Sequence, residues 1–587
     1  MGNQLTSPFT ISEDSLSTGG PNNLWKIYNA TKKSNNTPVS LFILEKANFS
    51  KANKHLQEEI FNSVRKEVKT LTKLRHPSIL QISEPLGEDS SSMVFATEPL
   101  EGSLKYLIET PSKHNLVPSE IELKAQILEL IDAVIFLHSN ANLLHLSISP
   151  ENIYLTPSGK FKIAGFFFSM QINNEETKVT PNIDFSLEQF CPHFGFITPE
   201  IVKNNIASSA SDAFSIGCLI YHLMQIENGQ KEIYFLNTGE SCSKPKYLDA
   251  IQSLTPTLIS KKLSFFKSDA VELLGQLLKI KPEDRIQLNE ARSSSWFNDP
   301  KIKALDYLNH LDLKEEQQKQ QFFNGLMNVL NEFDAKVIQR RILPALASQL
   351  SLYKMASVVL PLIASILSKE EVCSRKEFYA KVWPHMEELC KGKEISAHSL
   401  FLIINNTNTW LRLIEIKDFQ STLLILYQKA LGCGVEKIQE GVVKVIPLLA
   451  KKIDYATLKN NLLPKVVNLA LNTPKIRLKV KCIESISNIS SLLDPKLVKG
   501  GVMPMLEKLI KSSGNGDLYM EIIRALKELS KSFTYQELAN CVVPLLLSMS
   551  VKGEFSKIQF AEVIALIKEL IDEIDNSRSK VWFLLRD

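Results

Sequence analysis

The 587-residue sequence has eight cysteines, and none stands in a CxxC pair or beside a histidine pair at metal-ligand spacing. This predicts reduced thiols in a cytosolic protein. Long apolar runs are also missing, because the longest, residues 355–367, contains serines and a proline and is shorter than the ~18–20 residues that cross a bilayer. The first residues lack the basic and apolar regions of a secretory signal.

Two features remain that could bring the chain to a membrane or to an acidic partner. Gly2 followed by Thr6 fits the short N-myristoylation pattern, so Gly2 is a candidate acylation site. Residues 1–300 hold 28 lysines and arginines and 33 acidic residues, a net charge of −5, which leaves +9 for residues 301–587. The second half is therefore the better candidate for binding something acidic, although a solvated helical surface commonly explains such an excess.

The second half contains a repeat marked by proline. Prolines stand at positions 344, 384, 464, 504 and 544, which fit a period of 40 residues. The remaining position of this period, 424, is a leucine. At all six positions the preceding residue and the second following residue are apolar. Proline suits the first turn of a helix, and a period near 40 is typical of the helix pairs of HEAT or armadillo repeats. The sequence thus predicts an α-solenoid, whose stacked pairs share one core and whose long surfaces bind partners.

Residues 145–152, HLSISPEN, have the form of a protein kinase catalytic loop without its aspartate. His145 and Asn152 are the residues that a kinase has, but Ser147 stands at the aspartate position and Ser149 at the lysine position. A serine hydroxyl is a poor base and carries no charge that could orient a substrate hydroxyl. The loop is present, and its catalytic base is missing.

The phosphate and metal ligands of a kinase are replaced as well. Phe42 stands where the V-A-I-K strand would carry its phosphate-binding lysine, and Glu67 on the next helix has therefore lost its partner. Gly165 in KIAGFFFS occupies the position of the aspartate that holds magnesium. We predict that the Phe42 side chain points into the cleft and fills apolar space there.

The vestigial nucleotide pocket has few other groups to offer. Gly19 and Gly20 are the only glycines where a kinase loop has three, and Lys26 on the following strand is the best substitute for the missing lysine. The segment MVFATEPLEGSLKYLI resembles the strand, hinge and helix beside adenine, with Glu98 to Leu100 as the hinge.

Residues that brace a kinase fold are kept. Glu200 belongs to a Thr-Pro-Glu that stands for Ala-Pro-Glu, and Arg285 is its expected ion-pair partner. Asp212 is expected to be buried under the catalytic loop. Selective loss of phosphate, metal and base ligands, with retention of packing residues, indicates a fold that has another use.

This combination, followed directly by a 40-residue helical repeat, resembles the Scy-like pseudokinase family over nearly the whole chain. The segments most similar to its coated-vesicle-associated branch include LTKLRHPSIL, SPENI, KIAGFFF and VIQRRILP. The resemblance implies a multidomain α+β and α protein with a bilobal protein-kinase-like domain and an α-solenoid of HEAT/armadillo type. Its expected parts are an N-terminal segment at 1–20, the kinase-like domain at 21–300 and the solenoid at 301–587.

The resemblance also implies a function. It predicts a catalytically inactive scaffold or adaptor in traffic of clathrin-coated vesicles between the trans-Golgi network and endosomes. We expect a cytoplasmic protein, peripheral to Golgi or endosomal membranes, that binds coat or sorting proteins through its solenoid and uses no cofactor or metal. Nucleic acid is not an expected partner. Relatives in that branch carry a tail with clathrin- and adaptor-binding motifs after the repeats, whereas this sequence ends at WFLLRD.

Two other functions fit parts of the sequence. The chain could be a weak atypical Ser/Thr protein kinase in which Lys26 holds phosphate and Asn152 holds a metal. It could also carry transfer RNA, as a sister branch of the same family does, with the basic solenoid on phosphates and a strongly salt-dependent affinity.

Overall fold

The computed structural model describes residues 5–50, 53–110, 119–172, 178–185, 190–227, 229–230, 233–236, 238, 242–392, 395–512, 515–552 and 555–584. Two compact units divide the chain: residues 1–314 with 329–341, and residues 315–328 with 342–587. The sequence placed this division at residue 300. No helix in the described ranges is long and apolar enough to cross a membrane.

The first unit contains all the strands that the described residues form. They are β1 (Phe9–Ile11), β2 (Ser17–Gly19), β3 (Trp25–Lys32), β4 (Thr37–Glu45), β5 (Ile82–Glu88), β6 (Ser92–Thr97), β7 (Gly102–Ser103), β8 (Leu143–Leu144), β9 (Ile153–Leu155), β10 (Phe161–Ile163) and β11 (Met170–Gln171). The largest sheet has the order β1-β3-β4-β6-β5, with β2 also paired to β3, and every pairing is antiparallel. Strands that follow β6 along the chain form two small sheets, with the orders β10-β9-β7 and β11-β8.

The N-terminal segment is part of this sheet. The sequence analysis separated residues 1–20 from the kinase-like domain, but Phe9–Ile11 pairs with Ala30–Lys32 and Ser17–Gly19 pairs with Trp25–Ile27. Phe9 is buried with Val39, on the face of the sheet away from the main core. The separation was wrong because these strands are short and their partners lie further along the chain.

Alternation along β4 gives the sheet two buried faces. Leu41 and Ile43 pack with the outer cluster, which also contains Val94 and Ala96 of β6. Phe42 and Leu44 belong to the main core of the unit. Phe42 therefore faces the cleft, as the sequence suggested.

Helices make up the rest of the first unit. Two of them, α3 (Glu120–Ser139) and α5 (Ser209–Glu227), are buried along most of their length and form the centre of the larger lobe. The helices are α1 (Lys54–Lys73), α2 (Leu104–Glu109), α3 (Glu120–Ser139), α4 (Pro199–Asn204), α5 (Ser209–Glu227), α6 (Lys244–Ser253), α7 (Pro256–Leu263), α8 (Ser268–Leu277), α9 (Leu288–Ala291) and α10 (Pro300–Asn309). A short helix from the later segment, α12 (Ala335–Val337), completes this unit.

Helices are the regular secondary structure that the described residues of the second unit form. Its helices are α11 (Glu316–Val329), α13 (Leu343–Ser348), α14 (Tyr353–Ser368), α15 (Arg375–Lys381), α16 (Trp383–Lys391), α17 (Ala397–Asn405), α18 (Thr407–Leu413), α19 (Ile416–Ser421), α20 (Leu423–Leu431), α21 (Glu436–Ala450), α22 (Tyr455–Thr457), α23 (Leu463–Asn472), α24 (Ile476–Asn488), α25 (Pro495–Leu497), α26 (Met503–Ser512), α27 (Gly516–Ser530), α28 (Tyr535–Glu537), α29 (Val543–Lys552) and α30 (Lys557–Leu584). The second helices of successive pairs pack on one another in the order α14, α17, α21, α24 and α27.

The predicted repeat is confirmed at the level of helix starts. Six helices begin one residue before the marker position, at residues 343, 383, 423, 463, 503 and 543. The apolar residues on both sides of each marker are buried. At the leucine position, Leu424 is only 2% exposed, whereas Pro464 and Pro504 are exposed, so the leucine contributes packing that the prolines do not.

Candidate nucleotide site

Four aromatic side chains fill the cleft in which the kinase resemblance places a nucleotide. Each is at most 2% exposed, and they are Trp25 of β3, Phe42 of β4, Phe95 of β6 and Tyr154 of β9. The ring of Phe42 stacks on Phe95 with 4.7 Å between centroids and meets Tyr154 edge-on at 5.3 Å. We call these four residues the aromatic cluster. Their separations are those of aromatic pairs in a protein interior.

The glycine loop closes on this cluster. A Cβ atom at Gly19 would lie 2.3 Å from the Tyr154 hydroxyl oxygen, so only glycine lets the loop rest on that ring. The Gly20 N–H donates to the Glu151 carbonyl oxygen at 3.0 Å, and Gly20 has a φ of +75°. Both glycines thus allow the loop to contact the protein's own residues closely.

The hinge also bonds within the protein. The backbone N–H of Leu100 donates to the hydroxyl oxygen of Ser40 at 3.0 Å, and Ser40 is fully buried on β4. The N–H of Glu98 donates to the Gln81 carbonyl at 3.1 Å, and the Glu98 carboxylate lies 3.1 Å from Lys162. A ligand at the hinge would have to compete with the Ser40 hydroxyl for Leu100.

The Glu67 carboxyl accepts hydrogen bonds from two uncharged donors in place of a lysine. Its Oε1 accepts a hydrogen bond from the Gly165 N–H at 2.8 Å, and its Oε2 accepts from the Trp25 indole at 3.4 Å. Burial raises the pKa of the Glu67 carboxyl to about 8, although these hydrogen bonds act in the opposite direction. The carboxyl therefore ties helix α1 to the turn at Gly165 without a phosphate-binding cation.

Lys26 does not replace the missing lysine, and that prediction was wrong. Side chains alternate along β3, so Trp25 and Ile27 face the cleft while Lys26 projects from the other face. There the Lys26 ammonium lies 3.2 Å from Glu45, and both side chains are nearly half exposed.

The catalytic loop is bonded to itself. Asn152 Nδ2 donates to the Ser147 carbonyl at 2.8 Å and to the Ser147 hydroxyl at 2.9 Å, with Ser149 Oγ at 3.4 Å. A Cβ at Gly165 would lie 2.2 Å from Asn152 Cγ, so no aspartate fits at this position. These residues do not fit a magnesium–nucleotide complex, because the remaining candidate ligand, Asn152 Oδ1, is a single buried amide oxygen.

Asp212 holds the catalytic loop from below. Its carboxylate accepts the N–H groups of His145 and Leu146 at 2.9 and 2.8 Å, and His138 lies 2.8 Å away. Leu146 has a φ of +60°, a conformation that a branched side chain adopts only when its surroundings enforce it. The His145 ring is tilted against that of Phe166, with 4.7 Å between centroids, and burial lowers the pKa of its imidazole, which favours the neutral ring.

Glu200 and Arg285 form a bidentate pair. The two guanidinium nitrogens donate to the two carboxylate oxygens at 2.6 and 2.7 Å, and Ser211 Oγ adds a third bond at 3.0 Å. The Arg285 side chain is fully buried and that of Glu200 is 7% exposed. This matches the fold-bracing role that the sequence suggested for them.

The sequence reasoning missed four of the residues that fill the cleft. Trp25, Phe95, Tyr154 and Ser40 were not singled out, although one signal was present. Phe42 and Phe95 are direct cross-strand partners between β4 and β6, and a cross-strand pair of large aromatics is typical of a packed core. Gly2 lies outside the described residues.

The fold and this cleft define a protein kinase-like domain that precedes a helical repeat. Residues 23–297 match the family described as Protein kinase domain. The chain is 28% identical to SCY1-like protein 2 of Mus musculus and of Homo sapiens, over 98% of this chain and 62% of each relative. It is 26% identical to the protein kinase-like protein SCY1 of Saccharomyces cerevisiae, over 97% of this chain and 75% of that protein.

The kinase-domain match and the full-length similarity to these relatives support the SCY1-like pseudokinase family for this chain. The chain spans 62% of the length of the two mammalian relatives. Among solved structures, the crystal structure of Cex1p is similar with a TM-score of 0.56 and 15% sequence identity, covering 99% of this chain and 98% of that one. At this identity the likeness supports the fold of a kinase-like domain followed by helices.

Proposed function

We propose that this chain is a catalytically inactive, kinase-like scaffold in vesicle trafficking, located in the cytoplasm and peripheral to Golgi or endosomal membranes. The observation that carries the inactive part is the filled cleft. The aromatic cluster occupies the nucleotide position, and the Ser40 hydroxyl already binds the hinge N–H of Leu100. Phosphoryl transfer depends on positioned phosphates, metal and base, and the positions of the phosphate-binding lysine, the base and the metal-binding aspartate carry Phe42, Ser147 and Gly165 instead.

The trafficking part has a different support. It rests on family membership and on the resemblance of LTKLRHPSIL, SPENI, KIAGFFF and VIQRRILP to the coated-vesicle-associated branch. A helical repeat is suited to such a role because its extended surfaces bind other proteins. Coat and sorting proteins are the partners that we propose.

The direct test of inactivity is nucleotide binding by the purified full chain, which is measured through the melting temperature of the protein. We expect no rise with Mg-ATP over buffer or ADP, because the cluster would have to leave the cleft before a nucleotide entered. The matched variant Phe42→Ala with Tyr154→Ala opens space in the cleft. It is the control for slow entry of the nucleotide. A clear rise in the parent with Mg-ATP, or phosphate transfer to a peptide, would contradict the proposal.

The trafficking role is tested by proximity labelling with the full chain in cells. We expect clathrin-coat and sorting proteins to be enriched over a cytosolic control. Enrichment of transfer-RNA or ribosomal machinery instead would favour the carrier function. Gly2→Ala in the same experiment tests the acyl anchor, and unchanged recovery with membranes would leave protein partners as the route to the vesicle.

A further inference from the structure

A cavity of about 520 Å³ opens in the second unit between two consecutive helix pairs, α20–α21 and α23–α24. Its volume lies in the range of ligand pockets. Polar side chains line both walls. We call this cavity the amide groove and define it by Gln428, Gln439, Lys465, Asn468, Asn472 and Lys475.

Gln439 is the buried member of the groove, with 8% of the residue exposed. Its Nε2 donates to the Leu431 carbonyl oxygen at 2.9 Å. Only the NH₂ group of an amide can donate, so this bond fixes which way the amide lies. Its Oε1 makes no hydrogen bond to any described residue. This acceptor is therefore available on the wall of the cavity, where water or a ligand can donate to it.

The opposite wall offers a matching pair of groups. Asn472 Nδ2 donates to Asn468 Oδ1 at 2.5 Å. The pair therefore keeps the Asn468 NH₂ and the Asn472 carbonyl oxygen for another partner, since neither bonds to a described residue. Together with Gln439, the groove presents both acceptors and a donor. That combination suits a polypeptide backbone, whose N–H and C=O groups alternate.

The charge at the groove is positive. Lys465 and Lys475 are exposed and make no ion pair with the described residues. Helix α24 begins directly after Lys475, and helix α21 directly after Val435, and neither start has a side-chain cap. The uncapped N–H groups add partial positive charge to that of the lysines. Glu436 is the acidic side chain among the lining residues.

We propose that the amide groove binds an extended acidic peptide segment of a partner protein. The peptide backbone bonds to Gln439, Asn468 and Asn472, and its carboxylates lie near Lys465 and Lys475. A nucleic acid fits less well, because its phosphates are acceptors and cannot donate to Gln439 Oε1, and because the lining contains no aromatic side chain on which bases could stack. The inference concerns the second unit and does not rest on the inactive cleft or on the trafficking role.

Fluorescence anisotropy with the purified full chain tests this assignment. The probe is a fluorescein-labelled decapeptide of alternating Glu and Ser, compared with the same peptide carrying Lys or Gln in place of Glu. We expect the Glu peptide to bind at least about tenfold more tightly than the Gln peptide, and the Lys peptide not to bind measurably. A preference for the Glu peptide over the Gln peptide that stays below about tenfold would overturn the proposal.

Two double variants distinguish binding at the amide groove from attraction by the net charge of the chain. Lys465→Glu with Lys475→Glu should weaken binding of the Glu peptide by about tenfold or more. Its matched control, Lys508→Glu with Lys511→Glu, makes the same charge change on exposed positions of α26 outside the groove. Equal loss in both double variants would show that only net charge is sensed, and would overturn the proposal.

The amides are tested separately, because charge alone does not explain them. Asn468→Ala with Asn472→Ala changes two exposed residues and should weaken the Glu peptide without altering the melting curve. Gln439→Met removes the acceptor and should also weaken the Glu peptide. Because it removes the donor to the Leu431 carbonyl as well, a lower melting temperature is expected, and circular dichroism checks that the variant is folded. If a decameric oligouridylate binds more tightly than the Glu peptide and ignores the amide variants, the groove is a nucleic-acid site and the proposal is wrong.

Discussion

Glu67 is a buried carboxyl whose usual cationic partner has been replaced by Phe42. Its hydrogen bonds come from the Gly165 backbone and the Trp25 indole. Neither partner carries a charge, so burial dominates and raises its pKa to about 8. One residue therefore joins helix α1, strand β3 and the former metal-binding turn, and its protonation state affects all three.

Glu67 should make stability pH-dependent. The folded chain keeps a proton that the unfolded chain releases near pH 4.3, so the contribution is fully present below that pH and is lost as pH rises through about 8. Relative to Glu67→Gln, the free energy of unfolding of the parent should fall by about 2 kcal/mol between pH 6 and pH 8. Denaturant unfolding of both proteins at three pH values measures this. A constant difference would contradict the assignment.

The Glu200–Arg285 pair should be sensitive to removal of one partner. Glu200→Ala leaves a fully buried guanidinium without its carboxylate, and such a change costs about 3–5 kcal/mol. Thermal unfolding of the first unit should shift to lower temperature accordingly. The double variant Glu200→Met with Arg285→Met is the control, because two apolar side chains leave no buried charge. It should recover much of the loss, and a double variant as unstable as Glu200→Ala would contradict this explanation.

Single residues differ in how far their place in the cleft could be predicted from the sequence. Phe42, Ser147 and Gly165 were found because motif spacing fixes their positions without knowledge of contacts. Lys26 was misplaced, although the alternation of Trp25, Lys26 and Ile27 already indicates opposite faces. The bond between Ser40 and Leu100 could not be predicted, because it depends on one hydroxyl rotamer and on the approach of two strands.

At the level of elements, the repeat links neighbouring helix pairs through their capping residues. Asp494 caps α25 by accepting the N–H of Leu497 at 2.7 Å. It also accepts a hydrogen bond from the hydroxyl of Tyr455 on α22, and its own N–H donates back to that hydroxyl at 3.3 Å. The start of one pair is thus fixed to the start of the next.

This link can be measured with a double-mutant cycle. Asp494→Ala should lower the free energy of unfolding, because it removes both the cap and the bond from Tyr455. Tyr455→Phe should cost less, since the cap remains. The coupling between them should be about 0.5 kcal/mol or more, as expected for residues in contact. Additive effects in denaturant unfolding would show that the two residues act independently.

Helix starts in the second unit were predictable because the period of 40 carries them. Five starts follow from proline at the second position, and the sixth follows from the same register at Leu424. The π-helical turns before four of these starts were not predictable, at Ile338–Ile342, Leu458–Leu462, Val498–Val502 and Leu538–Val542. The extra residue of such a turn depends on how the preceding short helix packs, which no local pattern records.

At the scale of the molecule, the first unit extends beyond the kinase-like motifs. Residues 329–341 return to it after residues 315–328 have joined the second unit. Arg341, the last residue of that segment, binds Glu129 of α3 inside the first unit, and their side chains are 2% and 8% exposed. Asn309 of α10 donates to the same carboxylate at 2.7 Å. The sequence boundary at residue 300 omitted these contacts because no motif marks them.

Arg341→Ala in the full chain should therefore destabilise the first unit. The substitution strands the buried Glu129 carboxylate, a loss of about 3–5 kcal/mol. Arg340→Ala is the matched control, because this neighbouring arginine is only half-buried and should change stability by less than about 1 kcal/mol. Hydrogen exchange of α3 is the readout that locates the effect, since opening of the pair should deprotect this otherwise buried helix. If both variants melt alike and α3 stays protected, residues 329–341 are a passive connection, and the first unit ends where its motifs end.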